Sequence, residues 1–147
     1  MIDIKKILLP VDFSEKVDEL VPYALTLTHK FGADLYVMTV TTDMSSFATF
    51  YVPHGNIQNF QNEVYRSAEK HFDALQRFFA AAPPKETLIL KGDPAEQIVA
   101  TAKKEGIDLI VMGTHIRKGL EKAIFGSVSE KVMKSGVCPV LAIPPKG

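Results

Sequence analysis

The sequence of 147 residues lacks several features that would assign it to a specialised class. It holds one cysteine, Cys138, which excludes an internal disulfide bond, and no Cys/His spacing resembles a zinc site. The formal net charge is zero, so the chain has no global basic field for nucleic acid or an anionic membrane. No apolar stretch approaches the roughly 20 residues that span a bilayer. No signal peptide is apparent before Pro10. We therefore expect a cytoplasmic protein that binds neither nucleic acid nor membranes.

What is present is a regular alternation of short apolar runs and longer helical patterns. With 46% hydrophobic and 23% charged residues, the composition is that of a globular chain, which we expect to form one domain over 1–147. Apolar runs predict strands at 4–9, 35–40, 87–90, 107–112 and 137–143. Helical periodicity and end signals predict helices at 14–31, 57–82, 94–105 and 127–135.

This order of elements predicts an α/β fold. Strands that are apolar throughout and separated by helices indicate a parallel sheet with helices on both faces. Right-handed crossovers favour a doubly wound five-stranded sheet, for which we expect the strand order 3-2-1-4-5. Ligands bind such sheets beyond the carboxyl ends of the strands, where the winding reverses. The loops after strands one and four, which contain Asp12 and Gly113, would flank that crevice.

The stretch from Met112 to Val128 is typical of a phosphate-binding loop. A strand ends at Met112, glycines follow at Gly113 and Gly126, and a helix is predicted from Ser127. Glycines let backbone N–H groups approach an anion, and the start of a helix adds donors and a favourable dipole. Two simpler interpretations stay open. Ser127 and Glu130 form the S-x-x-E pattern of a capping box, and Gly126 would then serve only the turn.

Asp12 has a similar structural alternative to a binding role. It follows the first predicted strand and precedes the first predicted helix. An aspartate there often caps the helix or closes an Asx turn. Its place after a central strand, at the expected crevice, favours a binding role instead.

Four segments carry a family resemblance: Pro10-Val-Asp12-Phe-Ser14, residues 107–114, Gly126-Ser127-Val128-Ser129-Glu130-Lys131-Val132 and Cys138-Pro-Val-Leu-Ala-Ile. Together they resemble the universal stress protein family over nearly the whole chain. The resemblance implies a five-stranded fold of the adenine nucleotide alpha hydrolase-like type. It also implies a homodimer formed through the last strand, 137–143. Some members of the family bind ATP and others do not.

The ATP-binding group carries the motif Gly-x2-Gly-x9-Gly-(Ser/Thr), and this chain matches it in part. The first glycine is Gly113, the third is Gly126 and the hydroxyl residue is Ser127, but Ile116 stands at the second glycine. A β-branched residue there would be strained by about 1–3 kcal/mol if the position needs a positive φ. With an ordinary φ, only the close approach to the phosphates would be lost.

The resemblance also assigns roles to residues outside the glycine motif. It implies that Asp12 lies beside the adenosine and that the backbone of Val40 faces the base. Pro10 and Met112, which lie near Asp12 and Gly113, complete the expected nucleotide site, and Val128 is placed with Gly113, Gly126 and Ser127 at the phosphates.

Three hypotheses for function follow. The first is a regulatory stress-response protein that binds ATP, with Mg²⁺ as a companion and AMP or ADP as alternatives. The second is a stress protein that does not bind nucleotide and acts through an unidentified protein partner. The third is a slow ATPase, for which the sequence supplies no oriented nucleophile and no P-loop lysine. The segment 41–56 is interpreted as a flap over the crevice, a partner contact or a variable surface loop.

Overall fold

The structure is a computed structural model that describes residues 1–13, 16–41, 54–114 and 127–146, with only the backbone described for 54–57 and 127. In these ranges five strands and four helices alternate along the chain. The strands are β1 (Lys6–Pro10), β2 (Asp34–Thr41), β3 (Glu86–Lys91), β4 (Leu109–Gly113) and β5 (Val140–Ile143). The helices are α1 (Val17–Phe31), α2 (His54–Leu75), α3 (Pro94–Glu105) and α4 (Ser127–Ser135), and a 3₁₀ turn, Gln76–Phe79, follows α2.

The strands form one parallel sheet in the order β3-β2-β1-β4-β5, which confirms the predicted order. The chain winds outward from β1 to β3 and then crosses to the other side of β1 for β4 and β5. Its winding therefore reverses between β1 and β4. In a doubly wound sheet, this reversal opens a crevice at the carboxyl ends of the two strands.

The two faces of the sheet carry separate apolar clusters, because successive strand side chains point to opposite sides. The face covered by α1 and α2 buries Ile7, Leu9, Val11, Val17, Leu20, Val21, Ala24, Leu35, Val37, Phe72, Leu75, Phe79, Val111 and Ile143. The face covered by α3 and α4 buries Leu8, Tyr36, Met38, Ala95, Ile98, Ala102, Ile107, Ile110, Met112 and Val132. The continuous apolar runs of the sequence reflect this burial on both sides.

Most helix ends follow the signals in the sequence, but α1 begins at Val17 and not at the predicted residue 14. Gly32 and Gly106 adopt the left-handed conformation, with φ of 62° and 66°, and end α1 and α3. Asp93 precedes α3 and accepts a hydrogen bond from the Glu96 N–H at 3.0 Å, and Pro94 occupies the first turn. The observed bounds of α4, Ser127–Ser135, are those predicted.

The second helix departs from its prediction of 57–82. It begins at His54, ends at Leu75 and continues as the 3₁₀ turn, while Phe60, predicted on the buried face, is 48% exposed. A helix of 22 residues is about 33 Å long, whereas the eight residues of β2 span about 26 Å. The helix is therefore longer than the strand it packs against. Residues 42–53 of the segment 41–56 lie outside the described residues.

Candidate functional site

Three neighbouring strands end at one edge of the sheet, which we call the carboxyl edge. There Pro10 ends β1, Thr41 ends β2 and Gly113 ends β4. Because α4 follows β4 in a parallel sheet, its first residue, Ser127, belongs to the same end of the molecule. The residues predicted from the loops after strands one and four thus come from elements that meet at this edge.

Apolar residues of the predicted site share one cluster. Met112, at 5% exposure, is part of the core between the sheet and the helix pair α3 and α4. Val40 from β2 and Val128 from α4 are partly buried and pack against that core. Pro10 is buried at the end of β1, opposite Met38 of β2. Val40 and Val128 thus add apolar side chains to the same core as Met112.

Asp12 follows the end of β1 and does not occupy the N-cap position of the helix that follows. That helix, α1, begins only at Val17, and its N-cap position, Lys16, makes no side-chain capping bond. Asp12 itself is exposed, and the preceding residue is fixed to β2. The capping interpretation of Asp12 is therefore wrong. The Asx turn stays a prediction, because residues 14 and 15 lie outside the described residues.

The phosphate-loop prediction is covered only at its two ends. Gly113 pairs with Ile143 of β5, and the N–H of Thr114 donates to the Ile143 carbonyl oxygen at 3.0 Å. Ile116 and Gly126 lie outside the described residues. At the other end α4 begins at Ser127, and the first N–H groups of any helix have no acceptor within it.

Two charged groups of α4 form a local pair along the helix, with Glu130 in its first turn and Lys134 in its last. Lys134 Nζ lies 2.7 Å from a carboxylate oxygen of Glu130, and this contact lowers the pKa of Glu130. The Ser127 side chain is outside the described residues, so the capping box stays a prediction. Across the described part of the chain, no three His, Cys, Asp or Glu side chains are grouped so as to hold a metal ion.

A family model described as the universal stress protein family matches residues 3–144. The chain belongs to the universal stress protein family. Universal stress protein MJ0531 of Methanocaldococcus jannaschii is 35% identical over 143 residues, which cover 95% of this chain and 81% of the relative. Universal stress protein YxiE of Bacillus subtilis is 31% identical over 144 residues, covering 94% of this chain and 97% of the relative.

Solved structures show the same fold. MJ0577 of Methanocaldococcus jannaschii superposes with a TM-score of 0.82 at 26% identity over 99% of both chains. UspA from Lactobacillus plantarum gives a TM-score of 0.79 at 25% identity, over 97% of this chain and 99% of its own. A universal stress protein solved in complex with cAMP gives 0.63 at 19% identity, over 97% of this chain and 98% of its own, and shows the fold alone.

This universal stress protein also holds buried hydroxyl groups that the sequence did not bring to attention. The Thr39 hydroxyl donates to the Val11 carbonyl oxygen at 2.8 Å, and the Thr41 hydroxyl donates to that of Leu90 at 3.3 Å. Thr114 and Ser129 are buried at 5% and 2% exposure. Thr41 and Thr114 lie at or just after strand ends, and Ser129 lies in the first turn of α4. Polar residues inside or directly after apolar runs were the signal that would have found them.

No helix in the described ranges is both long enough and apolar enough to cross a membrane.

Proposed function

We propose that this universal stress protein binds ATP at the carboxyl edge and acts as a nucleotide-dependent regulator of the stress response. One observation carries the proposal. The strands β1, β2 and β4, which precede or carry Asp12, Val40 and Met112, are neighbours around the point where the winding of the sheet reverses, and α4 follows β4.

The chemistry of these groups fits an adenine nucleotide. Apolar contacts from Val40 and Met112 suit the flat base, and an exposed carboxylate at Asp12 suits the hydroxyl groups of a ribose. The N–H groups at the start of α4 suit phosphate oxygens, with Gly113 and Gly126 allowing the backbone to approach. Mg²⁺ would accompany the phosphates as a counter-ion, and AMP or ADP would use the same base and ribose contacts.

One structural neighbour is consistent with a nucleotide ligand. One universal stress protein of the same fold has been solved in complex with cAMP. Within this proposal, residues 1–147 act as one cytoplasmic domain, and binding changes a surface that a protein partner recognises. The homodimer would form through β5, which lies at the edge of the sheet with only β4 beside it. A monomeric mass by light scattering at micromolar concentration would contradict that assembly.

A second function deserves a test because the glycine motif is incomplete. Ile116 replaces the second glycine of the ATP-binding motif. In addition, α2 exposes two aromatic side chains, Phe60 at 48% and Tyr65 at 45%. A universal stress protein that acts through protein contacts without a nucleotide would combine these two features.

Calorimetric titration with Mg-ATP separates the two functions, after nucleotide that accompanies the purified protein has been stripped and identified. Saturable binding in the micromolar range supports the nucleotide proposal. No heat, with no nucleotide in the stripped fraction, contradicts it. The variant Ile116→Gly sharpens the result, because it should change the affinity little if the natural loop admits phosphate. A large gain of affinity would show that Ile116 closes the site.

A further inference from the structure

Phe13, the residue after Asp12, packs against helix α2. The ring of Phe13 stacks on the imidazole of His71, with 4.6 Å between ring centroids and an interplanar angle of 18°. The same ring meets Phe72 edge to face, with centroids 5.3 Å apart. Two consecutive residues of α2 therefore contact one side chain of the loop that carries Asp12.

The residue before Asp12 is held as well, but by the sheet. The N–H of Val11 donates to the Met38 carbonyl oxygen at 2.8 Å, and the Val11 carbonyl oxygen accepts from the Thr39 hydroxyl at 2.8 Å. Val11 is thus fixed through both of its backbone polar groups. Asp12 lies between a neighbour fixed by β2 and a neighbour fixed by α2.

We propose that Phe13 and His71 are positioning residues, whose stacked rings hold the loop after β1 so that Asp12 meets the ribose of the bound nucleotide. This inference rests on the proposed function, since the ligand of Asp12 is the nucleotide. His71 touches no ligand itself and acts only through Phe13 and the loop.

His71 is a better residue to substitute in a test of this role than Phe72. Phe72 is buried in the core at 9% exposure, so its removal would disturb the fold. His71 is exposed on a helix, and alanine is the stronger helix former. The His71→Ala variant should therefore fold while losing the stacked ring.

The expected effect follows from the population of the binding-competent loop. When a site is competent to bind for only a fraction of the time, its apparent affinity is the intrinsic affinity multiplied by that fraction. Loss of one aromatic pair changes such a population by roughly two- to tenfold. We expect His71→Ala to weaken ATP binding by that factor and His71→Phe, which keeps a ring, to restore it.

The first measurement needs no nucleotide. Backbone ¹⁵N relaxation of the free protein should show lower order parameters at Asp12 and Phe13 in His71→Ala than in the wild type. His71→Phe should keep the wild-type values. His29→Ala, which removes another exposed helical histidine, should leave them unchanged. Unchanged order parameters in His71→Ala would overturn the proposal.

The second measurement is calorimetric and asks whether the effect passes through Asp12. In an Asp12→Ala background, His71→Ala should weaken ATP binding no further, so the double-mutant cycle is non-additive. Additive losses, or an affinity that stays unchanged although the loop has loosened, would overturn the positioning role. If the loop loosens but the wild type binds no ATP, the proposed function fails, and only the anchoring of the loop by α2 stands.

Discussion

Two aspartates occupy comparable places in this protein and do different work. Asp12 follows β1 and Asp93 follows β3, each in the connection to the next helix. Asp93 directly precedes its helix, and its carboxylate accepts the Glu96 N–H at 3.0 Å. Asp12 is separated from its helix, whose N-cap position is occupied by Lys16. The same residue type after a strand is thus a helix cap in one connection and a site candidate in the other.

The residue at which the next helix starts decides the role of each aspartate. Where the helix begins one residue after the aspartate, its first N–H groups use the carboxylate. Where the helix begins several residues later, the aspartate lies next to the end of the strand and not at the N-cap. β1 is also next to the point where the winding reverses, whereas β3 lies at the outer edge of the sheet. Position in the sheet and distance to the helix both favour Asp12, rather than Asp93, as the candidate for a ligand site.

The largest effect on ATP binding is expected for Asp12→Ala. A hydrogen bond from a ligand to a charged carboxylate contributes about 1.5–3 kcal/mol, so ATP affinity should fall by at least about tenfold. The free energy of unfolding should stay within about 0.5 kcal/mol of the wild type, because Asp12 is exposed and Lys16 occupies the N-cap of α1. Calorimetry with Mg-ATP and urea denaturation measure the two quantities.

The matched control for that variant is Asp73→Ala, which removes another exposed aspartate, in this case from α2. It should bind ATP like the wild type. Equal losses of affinity in both variants would indicate a general effect of charge, and a normal affinity in Asp12→Ala would remove Asp12 from the site.

Asp93→Ala should show the reverse pattern. Loss of the carboxylate that caps α3 should lower the free energy of unfolding by about 1 kcal/mol. The affinity for ATP should not change, because Asp93 follows the outermost strand. Asp93→Ser keeps a capping oxygen and should retain most of the stability. A weaker affinity without a loss of stability would mean that the two aspartates had been assigned the wrong way round.

The sequence predicted the sheet better than it predicted the roles of these residues. Apolar runs, together with the signals at Gly32, Asp93 and Gly106, sufficed for the strand order and most helix ends, because they are local or follow from handedness. The capping alternative for Asp12 needed the true start of α1, which no local signal gave. The contact between Phe13 and His71 joins residues 58 positions apart, so only the packing of α2 against the loop reveals it.

Cys138 lies at the end of the sheet where the strands begin, opposite the carboxyl edge. It precedes β5, is half-buried, and burial, followed by the nearby charge of Asp108, raises the pKa of its thiol. Because only the thiolate reacts, alkylation by iodoacetamide near neutral pH should be slower in the folded protein than in urea. ATP should not alter the rate. Protection of Cys138 by ATP would mean that binding is felt across the sheet.

The same pKa shift gives a sign for the effect of pH on stability. The folded thiol keeps its proton to a higher pH than the unfolded thiol does. The contribution of the thiol to the free energy of unfolding is therefore complete below the unfolded pKa. It is lost as pH rises through the pKa of the folded thiol. Urea unfolding of Cys138→Ala and wild type above pH 9 should therefore show a steeper loss in the wild type. Parallel pH profiles would contradict the raised pKa.

The smallest effect should come from a third aspartate, Asp34, which begins β2 and pairs with Lys85 at 2.8 Å. Both side chains are about half exposed, at 50% for Asp34 and 54% for Lys85, so water and salt screen the pair. The hydrogen bond to Asp34 and the charge of Asp34 raise the pKa of Lys85, and this direction fixes how the pair's contribution to stability depends on pH. The contribution is present below the unfolded pKa of lysine and is lost only as pH rises through the folded value. Asp34→Asn should therefore shift the urea midpoint slightly at low salt and neutral pH, and not measurably at high salt. A large shift that persists in salt would show that exposure alone does not rank these three aspartates, and that Asp34 supports the fold through the start of β2.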